Sequence, residues 1–305
     1  MGRIALRFLI AAGLLCAAAA VSAQDVTWQR TVSGYLEGVQ LAMYHGGADF
    51  TKPVFADVDG DGHADMFVGE HDGYVNYFKN QGGNPAAWLC VSSGLDTIDV
   101  GKQCAPAFWD YDNDSDLDMF LGNEAGHLWL FKNTGTLTAP VWTLQDTMYQ
   151  GIDVFYHATP CFRDLDGDGL TDILIGSNTG YFLYYHNGGS PGSPNFTLQD
   201  AHYRNIYQTM KSTLTIGDVN GDNLPDLLVS GLSGGIFYYR NNGPATNPTY
   251  TNLGLVGDAG HNGAPTLWDL DGDGDLDLIS GSAEGNLMVW TNFGTTHNPS
   301  WHFAQ

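Results

Sequence analysis

The sequence predicts an all-β fold, a β-propeller of four-stranded antiparallel blades with five repeats present plus a partial sixth strand segment. A nine-residue aspartate motif recurs five times, at intervals of about 51 to 54 residues. Each copy is followed by two short runs of β-branched and aromatic residues bounded by Gly and Asn, which is typical of strands. After the first 23 residues no window has helical periodicity. Four short strands in about fifty residues are typical of one propeller blade.

The first 23 residues are predicted to be a signal peptide. Arg3 and Arg7 precede an apolar stretch, and Val21-Ser22-Ala23 is a small-residue cleavage site. Residues 24–305 would then form the propeller, with repeats at about 26–85, 86–139, 140–193, 194–247 and 248–298 and a partial repeat at 299–305. We expect a secreted or cell-surface, extracytoplasmic protein that is not inserted in a membrane after signal cleavage.

The second repeat predicts the order of elements in a blade. An extended segment leads into the aspartate loop, and a strand, a tight turn, a second strand and a polar loop follow before the last strand. Successive antiparallel strands reverse direction, so the aspartate loops and the loops between third and fourth strands should share one face. The long connections between blades should share the other face with the turns between second and third strands.

The number of blades stays open at this stage. Segments similar to the fourth strand occur six times, the first around Trp28 and the last around Trp301, whereas the other three strands occur five times. The ring either closes with five blades and one spare segment, or the chain is part of a larger ring.

The charge balance excludes one class of partner. The chain has 34 acidic and 11 basic residues, for a formal net charge of −23. Such a surface would repel phosphates, so we expect no nucleic-acid binding.

The aspartate motif predicts calcium sites, up to five of them. Carboxylates at alternate positions of a tight loop converge on one point, and Ca²⁺ prefers six to eight oxygen ligands in flexible geometry. The sixth position is usually Gly, which permits the positive-φ turn that folds the loop back. The predicted ligands occupy positions 1, 3, 5 and 9 of the loops: Asp57, Asp59, Asp61 and Asp65; Asp110, Asp112, Asp114 and Asp118; Asp164, Asp166, Asp168 and Asp172; Asp218, Asn220, Asp222 and Asp226; Asp269, Asp271, Asp273 and Asp277.

The motif DxDxDGxxD, followed by an apolar triplet, Gly and an aromatic strand, resembles the FG-GAP/VCBS repeat of integrin-α-like propellers. The resemblance covers about residues 26–304 and implies a calcium-binding propeller. It says little about function, since such repeats occur in adhesion receptors, in lectins and beside polysaccharide-degrading enzymes. The family's calcium ligands correspond to the five loops, and no ligand-contacting residue corresponds.

The five loops are not expected to bind calcium equally. Ser115 replaces the glycine at position 6 of the second loop, and Asn220 and Asn223 replace an aspartate and a glycine in the fourth. We predict that the second and fourth loops bind most weakly.

Neither cysteines nor histidines indicate catalysis. Cys90 and Cys104 could pair across a loop, whereas Cys161 is predicted to be a small buried residue. His45, His157 and His261 stand at unequal distances before aspartate loops and are predicted to be solvated loop residues. We therefore predict no catalytic residues and no bound cofactor besides calcium, and expect no enzyme activity.

The long connections are the candidate binding surface, because functional residues concentrate in loops on a rigid scaffold. They contain the candidate ligand-binding residues Tyr35, Tyr44, Tyr149, Tyr156, Tyr203 and Tyr207. The predicted function is a secreted calcium-binding module for adhesion, with an extracellular protein or glycan as partner and calcium in a structural role. The alternatives are a carbohydrate-binding, lectin-like propeller and an accessory domain of a polysaccharide-active enzyme.

Overall fold

The computed structural model describes residues 50–83, 86–93, 95, 98–295 and 297–304, together with the backbone of residues 29–36 and 39–46. The predicted signal peptide lies outside these residues. No helix among them is long and apolar enough to cross a membrane.

The described residues form 22 strands, and twenty of these make five four-stranded antiparallel sheets, each a simple meander along the chain. This confirms the predicted all-β propeller. The first two blades consist of β3 (Lys52–Ala56), β4 (Asp65–Gly69), β5 (Val75–Asn80) and β6 (Trp88–Ser93), then β7 (Ala105–Trp109), β8 (Asp118–Gly122), β9 (Leu128–Asn133) and β10 (Trp142–Asp146). The third and fourth consist of β11 (Thr159–Arg163), β12 (Asp172–Gly176), β13 (Phe182–Asn187) and β14 (Phe196–Asp200), then β15 (Thr213–Gly217), β16 (Asp226–Ser230), β17 (Gly235–Asn241) and β18 (Tyr250–Asp258). The fifth consists of β19 (Ala264–Trp268), β20 (Asp277–Gly281), β21 (Leu287–Asn292) and β22 (Trp301–Phe303).

The ring closes with five blades. The first strands of successive blades contact one another around an axis, and β19 of the fifth blade contacts β3 of the first. Thr51 N–H donates to Ser282 O at 3.1 Å across this junction. A Cβ on Gly281 would lie 1.9 Å from Thr51 O, so only glycine permits the close approach. The Trp301 segment is the fourth strand of the fifth blade. This blade is therefore completed by its own repeat.

A two-stranded hairpin precedes the ring. Its strands are β1 (Gln29–Leu36) and β2 (Val39–Gly46), paired in antiparallel register from Gln29↔Gly46 to Leu36↔Val39. Trp28 lies outside the described residues.

The core lies between neighbouring blades. All five residues of every second strand are buried, since these strands are covered on both faces. One cluster joins Phe67 of the first blade to Met119 and Leu121 of the second, and similar clusters join each later pair. The fourth strands are the exposed outer edges, as in β10, where four of five residues are exposed.

Strand direction divides the loops between two faces, as predicted. On the loop face, the aspartate loops lie beside the loops between third and fourth strands, and Asn80 Nδ2 donates to Ala64 O at 3.2 Å. On the connection face, the chain between blades lies beside the turns between second and third strands, and Val154 N–H donates to Gly126 O at 3.0 Å. Two short 3-10 turns, Tyr149–Gly151 and Tyr203–Asn205, belong to these connections.

The cysteines form no disulfide among the described residues. Cys90 and Cys104 are buried thiols, and Cys161 is partly buried.

Candidate metal-binding loops

Each aspartate loop is organised by the carboxylate at its first position. In the third loop Asp164 accepts backbone N–H bonds from Gly167 at 2.7 Å and Gly169 at 3.0 Å. At position 5, Asp168 accepts the N–H of Leu170 at 2.8 Å. The bonds from the N–H groups of positions 6 and 7 to the carboxylates of positions 1 and 5 recur in the other four loops. The carboxylates therefore fold the chain around themselves.

The sixth position needs a left-handed backbone in every loop, which confirms the predicted turn. Its φ is 88° at Gly169, 77° at Ser115 and 65° at Asn223. Serine tolerates this region less well than glycine or asparagine, so the second loop is strained at this position. The fourth position is also left-handed in every loop, for example Asn113 with φ 62°, which sequence reasoning did not predict.

The ninth position is a buried aspartate at the start of each second strand. Asp65, Asp118, Asp172 and Asp226 are 0% exposed, and Asp277 is 2% exposed. Burial raises the pKa of Asp118 to about 7 and that of Asp277 to about 6. A bound cation would favour the ionised carboxylate against this effect.

An asparagine at the end of each third strand holds the ninth-position aspartate. Its backbone N–H donates to the aspartate Oδ1 at 2.7 to 2.8 Å in all five blades. In the last four blades its side-chain Oδ1 accepts two backbone N–H bonds from the loop that follows, as Asn187 does from Gly189 and Asn195. In the first blade Asn80 Oδ1 accepts the N–H of Gly82. The five are Asn80, Asn133, Asn187, Asn241 and Asn292. Sequence reasoning missed this role, although the asparagine recurs in every copy of the third strand.

Four loops bring carboxylates close enough to share a cation. Carboxylate oxygens within 4.8 Å of one another come from Asp57, Asp59 and Asp61; from Asp110, Asp112 and Asp118; from Asp164, Asp166 and Asp172; and from Asp269, Asp271 and Asp273. In the fourth loop, Asn220 and Asp222 occupy positions 3 and 5.

The donor set fits a hard cation. Asp59 Oδ1 and Asp112 Oδ1 are buried and have no hydrogen-bond partner among the described residues, so each has a lone pair available to a metal. The donors are oxygens, which Ca²⁺ prefers. The residues that would hold it are those at positions 1, 3, 5 and 9. The bound ion would supply positive charge that offsets carboxylate repulsion.

A basic residue just before the strand-three asparagine reaches the loop in three blades. Lys79 Nζ forms ion pairs with Asp59 and, at 3.0 Å, with Asp61. Lys132 Nζ pairs with Asp112 and, at 3.3 Å, with Asp114.

The residue at the equivalent position is not a lysine in the last three blades, and only the histidine of the third blade reaches its loop. His186 Nδ1 lies 3.0 Å from Asp166 Oδ2 and 3.3 Å from Asp172 Oδ1. Arg240 of the fourth blade donates to Asn242 at 2.9 Å, and Thr291 of the fifth carries no charge. The ranking of the loops therefore depends on a neighbouring strand as well as on the loop sequence. The lysines add the first loop to those expected to bind calcium weakly.

The candidate tyrosines are divided by burial. Tyr149 and Tyr203 are 6% and 2% exposed and pack inside the ring, whereas Tyr156 and Tyr207 are 58% and 52% exposed. The side chains of Tyr35 and Tyr44 lie outside the described residues.

One histidine prediction is wrong. His157 is buried, 6% exposed, because its connection turns inward to the ring axis instead of staying in solvent. His261 is exposed as expected, and the side chain of His45 is outside the described residues.

These features define a closed five-bladed β-propeller with an acidic loop in every blade. The FG-GAP-like repeat family matches residues 164–229 and 218–280. Residues 164–280, in the third to fifth blades, therefore contain FG-GAP-like repeats, and the five-bladed fold is consistent with a propeller built from such repeats.

Other comparisons add little about function. No curated protein matches the chain. A search of solved structures finds 26 matching chains. One is BBS1N, in complex with ARL6DN and soaked with lead, with 12% identity and a TM-score of 0.34 over 84% of this chain and 69% of that one. Another belongs to a Photorhabdus luminescens Tc holotoxin pore, with 16% identity and a TM-score of 0.33 over 90% of this chain but 14% of that one. Likeness at this level carries no argument about this chain.

Proposed function

We propose that the protein is an extracytoplasmic binding module whose propeller is stabilised by calcium. The observation that carries the proposal is the repeated oxygen donor set, with carboxylates within 4.8 Å of one another in four loops. The predicted signal peptide supports export, and FG-GAP repeats are typical of extracellular, non-catalytic propellers. External calcium would suffice even at the weak affinity, about 10⁻⁴ to 10⁻³ M, of many extracellular modules.

Calcium has a structural role in this proposal. Each loop joins the end of a first strand to the start of a second, so an ion there ties the innermost strand of a blade to the next. The position-1 and position-9 carboxylates belong to opposite ends of the loop, as Asp269 and Asp277 do. Neutralising them would remove repulsion between acids that the fold forces together.

Thermal unfolding with and without calcium tests the structural role. We expect the melting temperature to fall when calcium is chelated, since a ligand that binds only the folded state stabilises it. Asp269→Ala should reduce the calcium-dependent part of the stability. Glu284→Gln, which removes an exposed acid from the connection face, should leave that part unchanged. An unchanged melt after chelation would contradict the proposal.

The recognition surface is proposed to be the connection face near the third and fourth blades. Phe155 and Tyr156 are 78% and 58% exposed on the connection before the third blade, and Tyr207 is 52% exposed on the connection before the fourth. Tyr207 packs against the Tyr181 ring at 5.0 Å. Exposed aromatic side chains with polar tips are enriched at binding interfaces.

The partner is proposed to be an extracellular protein, and a glycan is the second candidate. The exposed tyrosine rings favour the second candidate, because flat rings can stack on the apolar face of a sugar. A screen against glycans and extracellular proteins, with and without calcium, separates the two. Tyr156→Ala and Tyr207→Ala should weaken binding of either partner class.

The control is Phe293→Ala, which removes a ring that is 54% exposed on the loop face. Equal loss of binding in all three variants would contradict the proposed surface. Turnover of a polysaccharide in the same screen would contradict a purely binding function.

A further inference from the structure

Five equivalent residues surround the ring axis on the connection face, each two residues before the first strand of its blade. We call Phe50, Gln103, His157, Lys211 and Asn262 the channel mouth. Each has a left-handed backbone, with φ between 49° and 62°. None of the five is glycine, so each costs conformational energy that the surrounding ring must offset. Such positions tend to cluster at functional sites.

The channel mouth encloses a small cavity. Residues from all five blades line it, which places the cavity on the axis of the ring: the five mouth residues with Lys52, Thr159 and Thr213. Its volume is about 10 Å³, close to the room that one water molecule needs. A phosphate group or a sugar acid would be too large to enter.

The cavity is lined by positive and not negative charge, in a chain of net charge −23. Lys52 and Lys211 both contribute to the lining, and no lining residue is acidic. Lys52 Nζ makes one long contact, 3.5 Å to Gln103 O, which leaves donor capacity unused. Outside the lining, Glu124 interacts with Lys211 and accepts a bond from Gln103 Nε2 at 3.2 Å.

Neighbouring aromatic side chains hold Lys211 in place. Lys211 Nζ lies 4.5 Å from the centre of the Phe50 ring, and that ring stacks on His71 at 5.2 Å. Cation–π contacts of this kind orient a lysine without neutralising its charge.

Two further polar atoms of the lining are buried without a hydrogen-bond partner among the described residues. They are His157 Nδ1 and the side-chain amide oxygen of Asn262. A neutral imidazole can carry its proton on Nδ1, and an asparagine amide can turn its NH₂ group to the same side. Both side chains can therefore present donors to the cavity. Buried polar groups without partners cost free energy, which a ligand that accepts hydrogen bonds would recover.

Burial of the two lysines lowers the pKa of both side chains. Burial lowers the pKa of Lys52 to about 8, with the nearby Lys211 adding to the effect. Burial also lowers the pKa of Lys211. The shift at Lys52 therefore includes repulsion from the second lysine, whereas the shift at Lys211 comes from burial and is opposed by Glu124.

We propose that the channel mouth binds one small monovalent anion of halide size. Lys52 and Lys211 would supply the charge, and His157 and Asn262 would supply hydrogen-bond donors. The site is formed once per ring, from five different side chains, and is separate from the acidic loops on the opposite face.

Bromide is the probe for the test, and gluconate, which is too large to enter, is the reference anion. At about ten times its dissociation constant, bromide should raise the melting temperature by about 2 to 4 °C over gluconate at equal ionic strength. Lys52→Gln and Lys211→Gln should lose this difference. Lys102→Gln, which removes the same charge from an exposed position on this face, should keep it and so controls for general salt effects.

Crystals of the unmodified protein grown in bromide test the site without any variant. We expect an anomalous peak on the ring axis between the two lysines. Absence of that peak, or an equal bromide effect in Lys52→Gln, Lys211→Gln and Lys102→Gln, would overturn the proposal.

Discussion

The five aspartate loops and the five residues of the channel mouth are both sets of equivalent positions, one per blade, but they vary in opposite ways. In the loops the side chains repeat, and Asp at position 1 makes the same backbone bonds in each copy. At the mouth only the backbone repeats, with φ between 49° and 62° and five different side chains. The difference separates what builds every blade from what is made once for the whole ring.

The bonding explains the contrast. A loop aspartate is required by N–H donors of its own blade, so each blade needs its own copy. A mouth residue is required only to turn the chain inward, and its side chain meets those of the other four blades at the axis. Repetition therefore marks the scaffold, whereas variation at equivalent positions marks a candidate recognition site.

The largest expected effect comes from removing a buried loop aspartate. Asp118→Ala would leave the buried N–H of Asn133, now bonded at 2.8 Å, and the N–H of Tyr111, at 3.2 Å, without their acceptor. Each unsatisfied group costs about 1–3 kcal/mol, so we expect the free energy of unfolding to fall by about 3 kcal/mol. Denaturant titration of the wild type and the variant measures this free energy of unfolding.

The matched control is Asp116→Ala, two residues earlier on the same loop and not buried. It should change the free energy of unfolding by about 0.5 kcal/mol or less. Similar losses in the two variants would mean that the repeated side chains are not what holds the blade.

Much of this scaffold could be predicted from the sequence, because its determinants are local. The spacing of Asp and Gly within nine residues predicts the loop and its left-handed turn, and strand direction predicts the two faces. The ion pairs from Lys79 and Lys132 were missed because they depend on the register of a strand twenty residues away. His157 was misjudged for a similar reason, since only the closed ring brings its connection to the axis.

The second prediction exchanges the residue next to the strand-three asparagine. Lys132→Thr should strengthen calcium binding at the second loop, and Thr291→Lys should weaken it at the fifth. Removing or adding one charge near a partly exposed ion corresponds to about 1.4 kcal/mol, or about tenfold in affinity. Calorimetric calcium titration of each variant measures the change.

Lys102→Thr controls for net charge, because Lys102 is exposed on the connection face. If it changed calcium affinity as much as Lys132→Thr, the ranking of loops by a neighbouring cation would be wrong. The predicted weakness of the second and fourth loops is checked by the same titrations.

The third prediction concerns pH and the mouth. Burial, with Lys52 and Lys211 adding to it, lowers the pKa of His157 to about 3 from an ordinary value of 6.5. The unfolded chain therefore binds a proton more readily than the fold does. The neutral, buried His157 therefore stabilises the fold relative to the unfolded chain. Its contribution to the free energy of unfolding is complete above pH 6.5 and is lost as the pH falls towards 3.

Between pH 6.5 and 5 we expect His157 to account for a loss of about 1.6 kcal/mol in the free energy of unfolding. His157→Leu should remove that part of the pH dependence, whereas His261→Leu, at an exposed position, should not. Unfolding titrations at several pH values measure the slopes. An equal slope in the wild type and in His157→Leu would show that the mouth histidine is not held neutral by burial.

The smallest expected effect tests the strained position of the second loop. Ser115 has φ 77° and is exposed, so glycine would relieve the backbone without removing a packed side chain. Glycine also gains freedom in the unfolded chain, which offsets part of the benefit. We expect Ser115→Gly to raise the free energy of unfolding by about 0.5 kcal/mol and to bring calcium affinity closer to that of the third loop.

The control is Asp116→Gly, where the backbone is not left-handed. There the same gain of unfolded-chain freedom acts alone, and stability should fall by about 0.5–1 kcal/mol. A gain of stability in Ser115→Gly and a loss in Asp116→Gly would show that the effect comes from the left-handed turn and not from glycine itself. If both variants lost stability equally, the loop would be held by its carboxylate bonds alone, and the left-handed turn would have no measurable cost.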